Sequence, residues 1–210
     1  MGLYAMQHAA NTRKRGPKPN PQTRKNLIEA GVRMIHEAGY TATGIQDIVN
    51  AADVPKGSFY NHFESKEAFA AAVVDTYFEQ SLEFLRSFFD RDDIPALKRL
   101  ELYFSTRIQT FRSAGYTHGC MLGNLSLELA DQSHIIRERL ATHFNTWSAL
   151  FEGCIAEAQR SGALQNPLSA AVLARFLLNS WEGALLRMRA EKSDRALSEF
   201  MEVVFSQVLV

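Results

Sequence analysis

Cys120 is the sharpest candidate for a reactive side chain in this 210-residue sequence. It follows Gly119, with His118 two positions earlier, and an apolar helical period resumes directly after it. That context puts the thiol at a helix N-terminus, where the dipole favours the thiolate that attacks electrophiles and oxidants. A buried, inert thiol is the competing reading, since free cysteine is among the most buried residue types. Further along, Trp181, Glu182 and Arg187 share one helical stretch. An aromatic wall with a few polar groups suits a small organic ligand; the plainer alternative leaves Trp181 in the core and both charges in solvent. Asn124 and Glu128 lie one helical turn apart and form either a solvated face or the polar wall of the same pocket. His134 and His143 fall on different faces, so neither a metal site nor a cofactor is expected. The sequence has no Gly-rich phosphate loop, nucleophile elbow, His-Glu-x-x-His or paired-cysteine zinc motif, which argues against an enzyme.

A second kind of chemistry is electrostatic. The net charge is zero, yet residues 1–70 hold 9 Lys/Arg against 6 Asp/Glu, a balance of +3 that leaves −3 for the remainder. Arg13, Lys14, Arg15, Lys18, Arg24 and Lys25 cluster without an acidic neighbour between them. A basic arm on a neutral chain suits a polyanion; a solvated leader is the alternative, and the absence of an apolar face argues against a membrane role.

The elements that must position these groups read as helices almost throughout. Apolar residues make up 46%, and 6 prolines and 12 glycines fall mostly between periodic segments. Residues 16–21, Gly-Pro-Lys-Pro-Asn-Pro, cannot be helical. Leu27, Ile28, Gly31, Met34, Ile35 and Ala38 then recur at helical steps until Gly39. Thr43 followed three residues later by Gln46 predicts a capping box opening a short helix through Ala51. Pro55 suits the first turn of another short helix, ending near Asn61, and Ser65 starts a long one carrying Phe69, Val73, Tyr77 and Leu85. Five or six further helices are expected. One covers about 120–130, one is capped by Ser133 and stopped by Gly162, one is opened by Pro167 and one is capped by Asp194.

Three short helices and a long one, the third about seven residues, have the build of a helix-turn-helix unit. Ile48, Val54 and Phe59 are spaced to face inward and fix the helix crossing, leaving Lys56, Gly57, Ser58, Tyr60 and Asn61 on the recognition helix. Lys66 in a first helical turn opposes the macrodipole but suits a phosphate clamp. Gln46 is read as a cap, as a base contact, or as both in different states.

The stretch from Gly39 to Glu67, with its Tyr60-Asn-His62-Phe-Glu-Ser-Lys66-Glu run, closely resembles the TetR family signature. The resemblance covers about residues 24–70. It implies that Lys56, Gly57, Ser58, Tyr60 and His62 meet double-stranded DNA, Tyr60 and His62 mainly on phosphates. Beyond it, Gly119-Cys120-Met-Leu-Gly-Asn124 and Trp181-Glu182-Gly-Ala-Leu-Leu-Arg187 resemble the TetR subgroup that contains AcuR and NemR. That resemblance implies a body that senses small, reactive or unsaturated molecules. NemR-like chemistry also uses a lysine near the thiol; here the counterpart is Arg189, which cannot act as an amine nucleophile.

Together these readings give an all-α chain: a flexible basic arm over 1–21, a helix-turn-helix domain over 22–68, and a ligand-binding and dimerisation domain over 69–210. The expected function is a cytoplasmic, homodimeric repressor that binds a palindromic operator and is released by a small effector, its cysteines being thiols. Ala170, Ala174, Leu177, Leu178, Trp181 and Leu185 look suited to the dimer face. An activator, an architectural DNA binder and a protein-binding pseudo-regulator are the competing regulatory classes.

Overall fold

The computed structural model of the protein describes residues 20–210, so most of the basic arm lies outside the described residues. The chain coils at once: the Asn20 side chain accepts from the Gln22 amide at 2.9 Å, and Pro21 takes the first helical position. Proline costs nothing there, because that backbone donor has no intrahelical partner. The helical unit therefore begins one residue inside the expected arm.

Nine α-helices and no strand are found among the described residues. The first four are α1 (Pro21–Ala38), α2 (Ile45–Ala51), α3 (Lys56–Tyr60) and α4 (Lys66–Phe89). Then come α5 (Ala96–Ser113), α6 (Met121–Leu129), α7 (His134–Arg160), α8 (Ala170–Glu191) and α9 (Arg195–Val203), which runs into a π-helical turn over Val204–Val208. Ser65 and Ser133 cap α4 and α7 as expected, accepting from the Ala68 and Ile136 amides at 3.0 and 3.2 Å.

Two local expectations are corrected and a third is qualified. At α2 the reciprocal bond comes from Asp47, whose carboxylate accepts from the Gly44 amide at 3.1 Å. The Thr43 hydroxyl instead donates to the Gly39 carbonyl at 2.6 Å, and Gln46 donates to Asn50 at 2.9 Å. At α8, Pro167 lies outside the helix and Ser169 is its cap. At α9, Asp194 holds the cap position as expected but makes no side-chain cap bond; its carboxylate is held by Arg112.

α1 lies on α4, and the approach is so close that a Cβ at Gly31 would sit 2.4 Å from the Phe69 ring. The body is assembled on α7, which packs against α4, α5 and α8, while α9 closes over α8 and α5. Its centre is aromatic: Phe104 meets Trp181 at 4.8 Å and Phe200 at 4.9 Å between ring centroids. Tilted and edge-on pairs of this kind each add about 0.5–1.5 kcal/mol beyond the area they bury. Arg99, also buried, ties α5 to α7 and to the end of α4, pairing with Glu157 and donating to the Phe89 carbonyl at 2.8 Å.

The expected dimer face is also corrected. Ala174, Leu177, Leu178, Trp181 and Leu185 all point into the subunit's own core. The apolar side chains that α8 and α9 leave in solvent are Val172, Phe176, Leu186 and Val203.

Candidate nucleic-acid interface and ligand cavity

The recognition unit is held from beneath. Phe59 of α3 is fully buried against Phe63 and Phe69, whose rings lie 5.5 and 5.2 Å away, and Ile48 and Val49 of α2 join the same core. With Phe59 pinned inward, the rest of α3 faces out: Lys56, Gly57, Tyr60 and Asn61 are exposed, and Ser58 and His62 partly so. Tyr60 is 56% exposed, its ring edge-on to Phe59 at 5.4 Å and its outer face free. Gln46 is exposed on the preceding helix. A Cβ at Gly57 would meet nothing within 4 Å, so no packing inside the subunit explains a helical glycine that costs roughly 1 kcal/mol.

Lys66 departs from its expected role. Its ammonium donates to the Tyr40 carbonyl at 2.6 Å and lies 4.2 Å from the Tyr40 ring centroid. It therefore braces the α1–α2 turn rather than standing free as a phosphate clamp. Glu128 engages the same turn. Its carboxylate accepts from the Tyr40 amide at 3.0 Å and the Thr41 amide at 2.6 Å. Burial would raise the Glu128 carboxyl, but the bonds from Thr41 and Tyr40 and the nearby Lys66 ammonium outweigh it and hold the group below its usual range. Glu128 is thus no part of a pocket wall; it is the end of α6 latched onto the DNA-binding unit.

The other end of α6 opens on a cavity of about 290 Å³ within the helical body. α4 supplies Tyr77, Ser81 and Phe84, and α5 supplies Tyr103 and Arg107. Trp147 of α7 and Trp181 of α8 form aromatic walls, and Cys120, the cap residue of α6, lines the space beside them. Cys120 is 5% exposed, and burial, reinforced by the neighbouring Glu182 carboxyl, pushes its thiol well above the ordinary value. The expectation of a lowered thiol pKa fails because these costs exceed what the helix-terminal amides of Gly123 and Leu122 return. At neutral pH Cys120 is a thiol.

Glu182 is half-buried rather than solvated, its carboxyl lying against Cys120 and Gly123 with Oε1 enclosed. Burial pushes it up to about 7, against the opposing pull of the Cys120 bond and the Arg107 charge, and its Oε1 has no hydrogen-bond partner. Two other expected pocket residues are elsewhere. Arg187 is exposed and pairs with Glu191 at 2.5 Å. Asn124 accepts from Arg189 at 2.6 Å and donates to the His118 carbonyl at 2.8 Å, which pins the 115–120 loop. That loop has positive φ at Gly115, Tyr116, His118 and Gly119.

A second contact joins this loop to the DNA-binding unit. Burial lowers the His36 pKa, so the imidazole is neutral, and its Nε2–H donates to the Gly119 carbonyl at 3.0 Å. The same ring packs edge-on against Tyr77, a cavity residue, at 5.3 Å. The sequence reading missed His36, Tyr103, Arg107 and Trp147. A signal was present for Arg107, a cation one helical turn from both Tyr103 and Phe111 beside the stripe that α5 buries.

Comparison with known proteins places this architecture. Residues 27–73 match the family of bacterial regulatory proteins of the tetR type, and residues 96–204 match the tetracyclin repressor-like C-terminal domain. The chain belongs to the TetR family of transcriptional regulators; it is not an enzyme. It is 40% identical over 186 residues to the HTH-type transcriptional repressor DhaR of Mycobacterium sp. strain GP1, covering 89% of this chain and 92% of that protein. It is 34% identical over 191 residues to the transcriptional regulator AcuR of Cereibacter sphaeroides, covering 90% and 86%. Among solved structures, a regulatory protein TetR from Rhodobacter sphaeroides superposes with a TM-score of 0.82 at 31% identity, covering 90% of this chain and 99% of that one. Among the described residues no helix is long and apolar enough to cross a membrane.

Proposed function

We propose that this chain is a cytoplasmic transcriptional repressor that binds a palindromic operator as a homodimer and leaves it when a small molecule fills the cavity. Lys56, Gly57, Ser58, Tyr60 and Asn61 read the major groove and its rim, with Gln46 and His62 flanking them. The exposed Val172, Phe176, Leu186 and Val203 pack against a second copy. Two-fold symmetry then sets the two α3 helices about one DNA turn apart, roughly 34–36 Å.

The observation that carries the proposal is α6. It begins at Cys120 on the cavity and ends at Glu128 on the α1–α2 turn, a span of about 12 Å at the usual helical rise. An occupant that displaces the cavity end moves the latch that orients the DNA-binding unit. It favours release only by its differential affinity for the two states. The raised thiol favours a reversible occupant over electrophile capture by Cys120.

Enrichment of binding sites from a random duplex pool tests the reading. An inverted repeat bound by two protomers, with affinity falling steeply as salt rises, is the expected result. Enrichment of no motif, or of an unrepeated site bound by one protomer, would overturn it.

A further inference from the structure

We infer that His36 is an acid-operated clasp on the DNA-binding unit: when its imidazole takes up a second proton, α1 lets go of the 115–120 loop and operator affinity falls. The inference rests on the reading above, that contacts from the helical body orient the DNA-binding unit. Glu128 makes one such contact and His36 another. Glu128 is held ionised, so of the two only the imidazole changes charge near neutrality.

The half-buried ring sits where the loop and three helices of the body approach α1. Its Nε2–H donates to the Gly119 carbonyl at 3.0 Å, Tyr77 of α4 stands edge-on at 5.3 Å, and the His118 ring is tilted at 5.6 Å. A second proton, on Nδ1, adds a charge without adding to the Gly119 bond. Burial opposes that charge most, and His118 of the loop, Arg107 of α5 and Arg189 of α8 oppose it further. The Tyr77 phenol is kept neutral by burial, and on α1 itself Arg33 and Glu37 are exposed.

The loop on the other side of the contact is strained. Tyr116 and His118 hold φ of 57° and 62°, a left-handed conformation that a Cβ disfavours. Three side chains tether it: His36 at the Gly119 carbonyl, Asn124 at the His118 carbonyl and Lys192 at the Tyr116 carbonyl. Of these only His36 belongs to α1, so its release frees the DNA-binding unit while the loop stays tied to the body. Burial sets the direction. In the closed contact His36 holds a second proton less readily than in the open one, where its pKa returns to the ordinary 6.5. The clasp is therefore fully present above 6.5 and is lost as pH falls below it. At pH 5.5 the opening equilibrium gains up to about tenfold over its value at pH 8.

His36→Gln keeps a donor near the position of Nε2 and does not titrate. Wild type and variant, both full length, are compared by native-state hydrogen exchange at the Tyr116 and Gly119 amides, which bond to the Phe111 and Thr117 carbonyls. The ratio of the two rates cancels intrinsic exchange chemistry and every titrating group the proteins share. Between pH 8 and pH 5.5, wild-type exchange should rise relative to the variant by roughly threefold to tenfold. Affinity for the enriched operator at fixed ionic strength should weaken in wild type relative to His36→Gln over the same range. Far-UV circular dichroism should show both proteins folded at both pH values. A relative exchange rate that stays constant, or that changes in the opposite sense, overturns the clasp. An acid-dependent exchange ratio with a constant ratio of operator affinities overturns its role in DNA binding. If no operator is enriched, the repressor reading falls and the exchange ratio still decides the clasp.

Discussion

Replacing Glu128 with glutamine should loosen the DNA-binding unit while the helical body stays folded. The carboxylate accepts two backbone N–H bonds, from Tyr40 at 3.0 Å and Thr41 at 2.6 Å, beside the Lys66 ammonium. Glutamine keeps one carbonyl acceptor, loses the charge and presents an NH₂ to the second amide. A bond to a charged acceptor contributes about 1.5–3 kcal/mol and a neutral one about 0.5–1.5. The substitution therefore costs the junction roughly 1–3 kcal/mol, and each 1.4 kcal/mol is a factor of ten in an opening equilibrium. Native-state hydrogen exchange reads that opening residue by residue. Protection of the Tyr40 and Thr41 amides should fall by about tenfold to a hundredfold. Amides in the buried α5 and α7 segments around Phe104 and Phe151 should be unchanged. Protection at Tyr40 and Thr41 within twofold of wild type would refute the latch.

Three further outcomes are expected. Glu182 titrates near 7 in the folded protein against about 4.5 in an ordinary setting, so the native state holds its proton longer and stability falls as pH rises between those values. Glu182→Gln should remove that fall, so its thermal stability relative to wild type should grow between pH 5 and pH 8 by an amount on the order of 3 kcal/mol; a constant difference in melts across that range would contradict the buried-acid assignment. Gly57→Ala meets nothing inside the subunit and places a better helix former in α3, so melting should hold or improve while affinity for the enriched operator drops. Unchanged affinity would mean that α3 does not approach DNA at that point. Phe176→Glu puts a charge on the exposed apolar face of α8 and should give monomers by analytical ultracentrifugation with the helical signal intact. A dimer that persists would move the interface elsewhere.

What could be read ahead of the structure follows from how local each cause is. The Ser65 and Ser133 caps, the breaks at Gly39 and Gly162, and the inward Ile48 and Phe59 depend on neighbours within a few residues, and their sequence patterns state them directly. Glu128 and Lys66 depend on a turn that lies far away along the chain, 88 residues for the Glu128–Tyr40 pair, and nothing near either residue announces it. The α8 stripe was legible as apolar, but periodicity alone does not say whether a stripe faces its own core or a second subunit. Trp181 faces its own core, and Phe176 is left exposed on the same helix. For Cys120 the helix terminus was legible while the burial and the Glu182 neighbour were not, and those two set its chemistry.

The central claim, that α6 couples the cavity to the DNA-binding unit, is tested most directly by a double-mutant cycle on operator affinity. Cys120→Met extends a side chain into the cavity at one end of α6, and Glu128→Gln weakens the latch at the other. Independent sites more than about 7–10 Å apart add within roughly 0.3–0.5 kcal/mol. If α6 transmits displacement, Cys120→Met should weaken operator binding in the wild-type background and have little effect once Glu128 is glutamine, leaving an interaction energy of about 1 kcal/mol or more. Additive effects of the two substitutions would contradict the account.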